Sequence, residues 1–371
     1  MKIRPLQLIL IITLTLSFLS LSFAFLKPSY GNEKNLSLYE KIAKKEDLHY
    51  LVVGDSIGRG SGASAWRDRW FSQLEALMLK KNGVRMHGEY LVQSGATSFE
   101  GIYKLQHAPV QNNIDLAFIV FGENDRKYMD DSDFSPLYES LLRQIKARYP
   151  SAEVITITES SLRFPKFAEQ IRKISSHYHA SNVDMRPVFR DTGLADSELT
   201  RDGVHPNNQG YTLYADALYK QIIKNKQDAK SISELADPIN TETALHVKEK
   251  QEFYARKGFR EQNGYLTSIH KNDWIDFRFK GPVAGVNLLR SPDGGKMNVF
   301  VDGKWVTEIS TWWPFPKERQ LFISNSLDSK EHTIRFQSAG TKSWHNTGHS
   351  SVIRIKSLLY GTEGGNTAIQ K

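Results

Sequence analysis

The sequence predicts an α/β unit built on a parallel sheet, followed by an all-β sandwich. Three observations carry this. Apolar, β-rich runs alternate with helix-period runs from Glu46 to about Lys224, the apolar period changes to two beyond residue 240, and an Asp-Gly pair separates two apolar runs in the second half. His49-Tyr50-Leu51-Val52-Val53 reads as the first strand, ending at Gly54. A helix comes next, because Trp66, Trp70, Leu74, Leu77 and Met78 recur at helical spacing. Glu89 to Val92 reads as the second strand, Leu116 to Phe121 as a fully buried third and Val154 to Ile157 as a fourth. Leu137, Leu141, Leu142 and Ile145 mark a helix between the last two; Tyr211, Leu213, Tyr214, Leu218 and Ile222 mark a closing helix from Asn208 to about Lys224.

Residues 224–244 are polar, carry Pro238 and show little periodicity, which suits a linker at about 225–244 and a boundary near 240. That divides the chain into units 32–239 and 240–371. In the second unit Ile275, Phe277 and Phe279 alternate with Asp276, Arg278 and Lys280, as in strands with one buried face. Asp302-Gly303 supplies the two positive-φ positions of a tight hairpin turn. Trp305, just after that turn, is assigned to the sandwich core.

The chain has 371 residues, 49 Lys+Arg against 41 Asp+Glu, and no cysteine. Disulfides, thiolate metal sites, iron–sulfur clusters and a cysteine nucleophile are thereby excluded. Catalysis must use oxygen or imidazole chemistry. From Leu6 to Leu26 the chain carries no charge, with Lys2 and Arg4 before the run and Lys27 after it. A run of this length can cross a ~30 Å hydrocarbon core, whereas Ser22-Phe23-Ala24 fits a signal-peptide cleavage site. Residues 1–31 are thus a signal peptide or a membrane anchor, and either reading places the remainder of the chain outside the cytoplasm. The net +8 divides unevenly: beyond the leader, residues 32–239 carry −1 and residues 240–371 carry +6. An anionic envelope polymer suits that second unit, and its placement outside the cytoplasm excludes nucleic acid.

The chemistry gathers at strand ends. Gly54-Asp55-Ser56-Ile57-Gly58 places a serine directly after the first strand, in a loop whose glycines allow a sharp turn. Asp202-Gly203-Val204-His205 lies just before the last helix and offers a carboxylate three positions from an imidazole. A serine hydroxyl needs such a base to remove its proton, and Asp202 would orient the ring of His205 and stabilise its cation. Gln93-Ser94-Gly95-Ala96-Thr97 and Gly122-Glu123-Asn124-Asp125 occupy two further strand ends. The N–H groups of Ser56 and Gly95 and the side-chain amide of Asn124 could bind the oxyanion formed when an ester is attacked.

Together the four segments resemble the SGNH (GDSL-type) hydrolase family. GDSIG gives Ser56, SGAT gives Gly95, GEND gives Asn124 and DGVHPN gives Asp202 and His205. Ile57 stands where the family pattern has Leu, and Gln93 where many members carry an Asn-x-Gly run. The resemblance implies a three-layer α/β/α, flavodoxin-like fold with no metal or organic cofactor. The nucleophile elbow of α/β-hydrolases is set aside, because that turn comes after several strands and Ser56 comes after the first. Residues around Lys296–Ile309 and Lys330–Phe336 look like the jelly-roll modules that accompany some carbohydrate esterases. Trp312, Trp313 and Trp344 there are candidate glycan contacts, since adjacent aromatics with flanking prolines are hard to bury together.

The expected function is an extracytoplasmic serine-dependent ester hydrolase acting on an O-acetylated envelope glycan. One alternative keeps the same residues but passes the acetyl group to a cell-wall polysaccharide, with a membrane partner as acyl donor. A non-catalytic carbohydrate-binding protein is the other.

Overall fold

Strands whose alternate side chains are apolar on both faces need helices on both sides, and the first part of the chain is built that way. The computed structural model describes residues 36–109, 113–240 and 245–363. The leader, including Leu6 to Leu26, lies outside the described residues; no helix among those described is long and apolar enough to cross a membrane. Strands β1 (Leu48–Gly54), β2 (Met86–Val92), β3 (Leu116–Val120), β4 (Glu153–Thr158) and β5 (Ser181–Asp184) pair in parallel in the order β2-β1-β3-β4-β5. Helices α1 (Leu38–Lys44), α2 (Trp70–Asn82), α3 (Ser98–His107), α4 (Asp131–Arg148), α5 (Pro165–His177), α6 (Met185–Arg190), α7 (Asp196–Leu199) and α8 (Asn208–Gln227) complete this part. Leu51, Val53 and Ile119 join α3, α4 and α5 in one apolar cluster, while Tyr50, Val52 and Phe118 join α1, α2 and α8 in another. The sheet is therefore the middle of three layers.

Local chemistry sets the helix ends. Asp130 Oδ1 accepts the Ser132 and Asp133 N–H groups at the start of α4, and Asn207 Oδ1 accepts the Gly210 N–H at the start of α8. The helix expected from Trp66 begins instead at Trp70, because Arg69 is extended (φ −71°, ψ 150°) and Trp66 lies in a preceding 3₁₀ turn. There its ring lies on the surface under the Arg69 guanidinium, 4.3 Å away. Residues 228–240 are irregular but strapped to α4: Lys146 Nζ donates to the Ser233 carbonyl (3.1 Å), and the Ile239 and Asn240 N–H groups donate to Glu139 (2.7 and 2.9 Å).

The second part is antiparallel throughout its paired strands. Its strands are β6 (Leu245–Lys250), β7 (Ala255–Lys257), β8 (Arg260–Gln262), β9 (Tyr265–Ser268), β10 (Trp274–Lys280), β11 (Val283–Arg290), β12 (Gly295–Val301), β13 (Lys304–Ser310), β14 (Lys317–Ser324), β15 (Glu331–Lys342) and β16 (Ile353–Glu363). They form two sheets, β13-β12-β15-β10-β7 and β14-β11-β16-β9-β8, with β6 added on β16. Phe277, Phe336, Val286 and Ile355 lie in the core between them. Asp302 (φ 50°) and Gly303 (φ 77°) form the β12–β13 turn. Trp305 is not in the core. It is 61% exposed on the edge strand β13, where its Nε1 donates to Asn298 Oδ1 (3.4 Å).

The two parts share a core. Phe99 and Ile102 of α3 belong to one apolar cluster with Leu245, Val247, Val283, Phe322 and Leu359 of the β part, and the Phe99 and Phe322 rings meet edge to face at 5.9 Å. Into this contact Arg319 of β14 inserts a fully buried guanidinium. Its Nε and Nη2 meet both carboxylate oxygens of Glu100, also buried, at 2.8–3.2 Å. Such an ion pair is costly to break, because removing one partner strands a charge in a low-dielectric interior. Deleting residues 240–371 is therefore expected to leave an unstable α/β part, read as loss of soluble protein or a melting temperature lowered by many degrees. A soluble fragment melting with the full chain would contradict this.

Candidate active site

The carboxyl ends of β1, β2 and β3 bring three loops together, and a fourth arrives from the turn before α8. Ser56 comes after β1 in a loop braced from three sides. Asp55 Oδ1 accepts the Ile57 and Gly58 N–H groups (2.8 and 3.5 Å), Trp70 Nε1 donates to the Ile57 carbonyl (3.0 Å), and the Tyr211 hydroxyl donates to the Ser61 carbonyl (2.6 Å). His205 Nε2 lies 2.9 Å from Ser56 Oγ, and His205 Nδ1 lies 2.7 Å from Asp202 Oδ2. With Nδ1–H given to Asp202, Nε2 is left as the acceptor of the serine proton. Asp202 Oδ1 also accepts the Val204 and His205 N–H groups. Burial lifts the Asp202 carboxyl, yet the His205 backbone N–H, the His205 ring and the Val204 N–H together hold it below the usual carboxylate range.

Gly95 sits in the loop after β2 at φ +74°, and the Ala96 N–H donates to the Gln93 carbonyl (3.0 Å), closing a tight turn. Only glycine adopts that conformation without strain. Among the described residues the Ser56 and Gly95 N–H groups engage no acceptor. Asn124 comes after β3 and donates one amide hydrogen to Asp55 Oδ2 at 2.6 Å, leaving its second free. The five residues singled out from sequence are thus brought to one place. Their arrangement can move a proton from a hydroxyl to an imidazole and can offer hydrogen bonds to a developing oxyanion.

Buried acids lie beneath this surface, and the sequence signals little of their role. Asp55 accepts two N–H groups of its own loop and also fixes Asn124. Burial pushes its pKa up to about 6 against the pull of the Ile57 N–H, Glu159 and the Gly58 N–H. Glu159, at the end of β4, is held well above its ordinary value by burial and by the charge of Asp55. Asp125 is raised to about 7, chiefly by burial, and accepts both the N–H and the hydroxyl of Ser98 (2.7 and 2.6 Å).

The candidate glycan contacts separate. Trp312 stacks on His345 with ring centres 4.6 Å apart, and Trp344, 84% exposed, caps the same imidazole. Trp313 turns toward the serine loops. Its Cη2 would lie 3.7 Å from a methyl group placed on Gly95, and the Arg319 guanidinium is 5.3 Å from its ring. Nothing in the local sequence of Arg319, Glu100 or Glu159 marks them. Their placement follows from pairing across 219 residues and from the end of a strand whose neighbours are read as core.

Residues 52–213 match the family described as GDSL-like Lipase/Acylhydrolase. The match places a GDSL-like lipase/acylhydrolase domain over residues 52–213, within the α/β part. No curated protein sequence matches the chain. Among solved structures, a two-domain esterase active on acetylated mannans, co-crystallised with mannopentaose, resembles it at TM-score 0.69 with 18% identity, over 88% of this chain and 94% of that one. A second structure of a two-domain esterase active on acetylated mannans gives 0.67 and 19% over the same shares. The likeness is one of fold, and it extends over both the acylhydrolase domain and the β part.

Glu159 provides a test of the buried acids in the acylhydrolase domain. Its pKa in the folded state lies above the ordinary 4.5, so its favourable contribution is complete below that pH and is lost as the pH rises. Glu159→Gln keeps a neutral side chain without titrating. Its stability relative to wild type, from urea unfolding, is expected to increase as the pH rises above 4.5. A difference independent of pH would contradict the upward shift of Glu159.

Proposed function

We propose that this protein removes acetyl groups from an O-acetylated envelope carbohydrate outside the cytoplasm, using Ser56 as nucleophile and passing through an acyl-enzyme. The observation that carries the reading is the continuous chain Ser56 Oγ, His205 Nε2, His205 Nδ1, Asp202 Oδ2, with links of 2.9 and 2.7 Å. In it, Ser56 Oγ attacks the ester carbonyl carbon while its proton passes to His205 Nε2. Asp202 stabilises the imidazolium, and the carbonyl oxygen, now negative, takes hydrogen bonds from the Ser56 and Gly95 N–H groups and the free Asn124 amide hydrogen. Collapse of that intermediate breaks the bond to the sugar oxygen, which leaves with the proton from His205. Water then repeats the sequence on the acetyl-serine and releases acetate.

Acetylated carbohydrate is supported by the two-domain fold shared with an esterase active on acetylated mannans. The charge of the β part supports an anionic polymer as the setting. Lys250, Arg278 and Lys280 line one open cleft of about 590 Å³ in which Glu331 is the only carboxylate among the described residues. Placement outside the cytoplasm rests on the leader sequence.

Ser56→Ala and His205→Ala are each expected to lower kcat on p-nitrophenyl acetate by at least about 10³-fold, and Asn124→Ala by about 10²-fold. Acetate released from acetylated mannan or xylan oligosaccharides should fall in parallel. Turnover by Ser56→Ala equal to wild type would overturn the assignment.

A further inference from the structure

Resting on that reading of Ser56, we infer that Arg319 of the β part is a positioning residue for the Gly95 N–H, which makes the β part a component of the active site. The turn Gln93–Ala96 has two peptide planes at its tip. The Ser94–Gly95 plane carries the Gly95 N–H, and its carbonyl accepts Gln93 Nε2 at 3.2 Å. The Gly95–Ala96 plane gives its N–H to the Gln93 carbonyl, and its own carbonyl accepts Arg319 Nη2 at 2.9 Å. Glycine populates positive and negative φ with similar ease, so within the loop only these two hydrogen bonds, both with Gln93, resist rotation of the planes about Gly95. Rotation would re-aim the Gly95 N–H. Arg319 opposes it from outside the loop.

That guanidinium is itself immobile. Nε and Nη2 are both engaged by the Glu100 carboxylate, a planar fork on a planar acceptor, and Glu100 sits in the first turn of α3, directly after the Gly95 loop. Lys cannot reproduce this, having one nitrogen on a flexible stem. The third nitrogen, Nη1, is buried without a partner, 3.6 Å from where a methyl group on Gly95 would lie. A buried ion pair with an unsatisfied donor is a poor device for stability, and an apolar pair of similar volume would serve packing at least as well. What the pair supplies instead is a fixed hydrogen bond to one carbonyl of the oxyanion loop. The Trp313 ring closes the same side of Gly95.

The test uses the full chain carrying Arg319→Leu with Glu100→Leu, which strands no charge, and separately Arg319→Lys. Active sites are counted by complete labelling of Ser56 with a fluorophosphonate, and folding is followed by thermal melting. In the double variant kcat per titrated site on p-nitrophenyl acetate is expected to fall about 10- to 10²-fold with KM within about threefold of wild type, and the labelling rate should fall in parallel. Arg319→Lys should lose less. A purely structural role would lower the fraction of titratable sites and leave kcat per site unchanged, which overturns the proposal, as would failure of both variants to fold. If Ser56→Ala retained wild-type turnover, the underlying reading of the serine would fail instead.

Discussion

The buried contact between Arg319 and Glu100 constrains how the β part sits on the acylhydrolase domain. Two opposite charges fully removed from water must stay together, so β14 cannot shift on α3 without stranding one of them. The apolar contact around it is not directional. Phe99, Ile102, Val283, Phe322 and Leu359 would tolerate small slips at modest cost, whereas a bidentate ion pair does not. Hydrophobic burial holds the two parts together, and the ion pair selects one register between them.

A second set of buried polar contacts works between the loops around Ser56 in the same way. Asp55 after β1 holds Asn124 after β3, Asp125 holds Ser98 at the start of α3, and Glu159 after β4 accepts the Glu123 N–H (2.7 Å). Each loop is tied to the next rather than only to its own strand. Loops at the carboxyl ends of parallel strands are otherwise the least constrained backbone in such a fold. Asp55, Asp125 and Glu159 all have raised pKa values with burial as the leading cause, so the bracing is obtained by keeping acids where ionisation is disfavoured.

What could be read in the sequence divides along the same line. The strands β1, β3 and β4 are apolar runs, the β12–β13 turn is an Asp-Gly pair, and Ser56, Gly95, Asn124, Asp202 and His205 stand in short segments whose composition points to their chemistry. These are local signals. Strand β5, Ser181–Asp184, has a single fully buried position and no apolar run, and its place at the sheet edge follows only from the strands before it. Trp305 reads as an inward residue because tryptophan is costly to expose, but β13 is an edge strand and offers it no cover. Arg319 in Lys-Glu-Arg-Gln reads as a charged strand face, and no sequence pattern reports that Glu100 waits for it across the interface.

Accessory modules joined by flexible linkers concentrate an enzyme near its substrate without affecting its geometry. The β part here is joined differently. Residues 228–240 are bonded along α4, Gln106 of α3 exchanges hydrogen bonds with the backbone of Leu245 and Val247 at the start of β6, and Asn325 Nδ2 donates to the Asp133 carbonyl (2.7 Å). Among the described residues, contacts at the beginning, the middle and the far end of the interface oppose a swing of the β part. The charge surplus around Lys250, Arg278 and Lys280 therefore lies on the same packed body as Ser56. The β part thus bears on the geometry of the loop around Gly95 through packed contacts rather than through a tether.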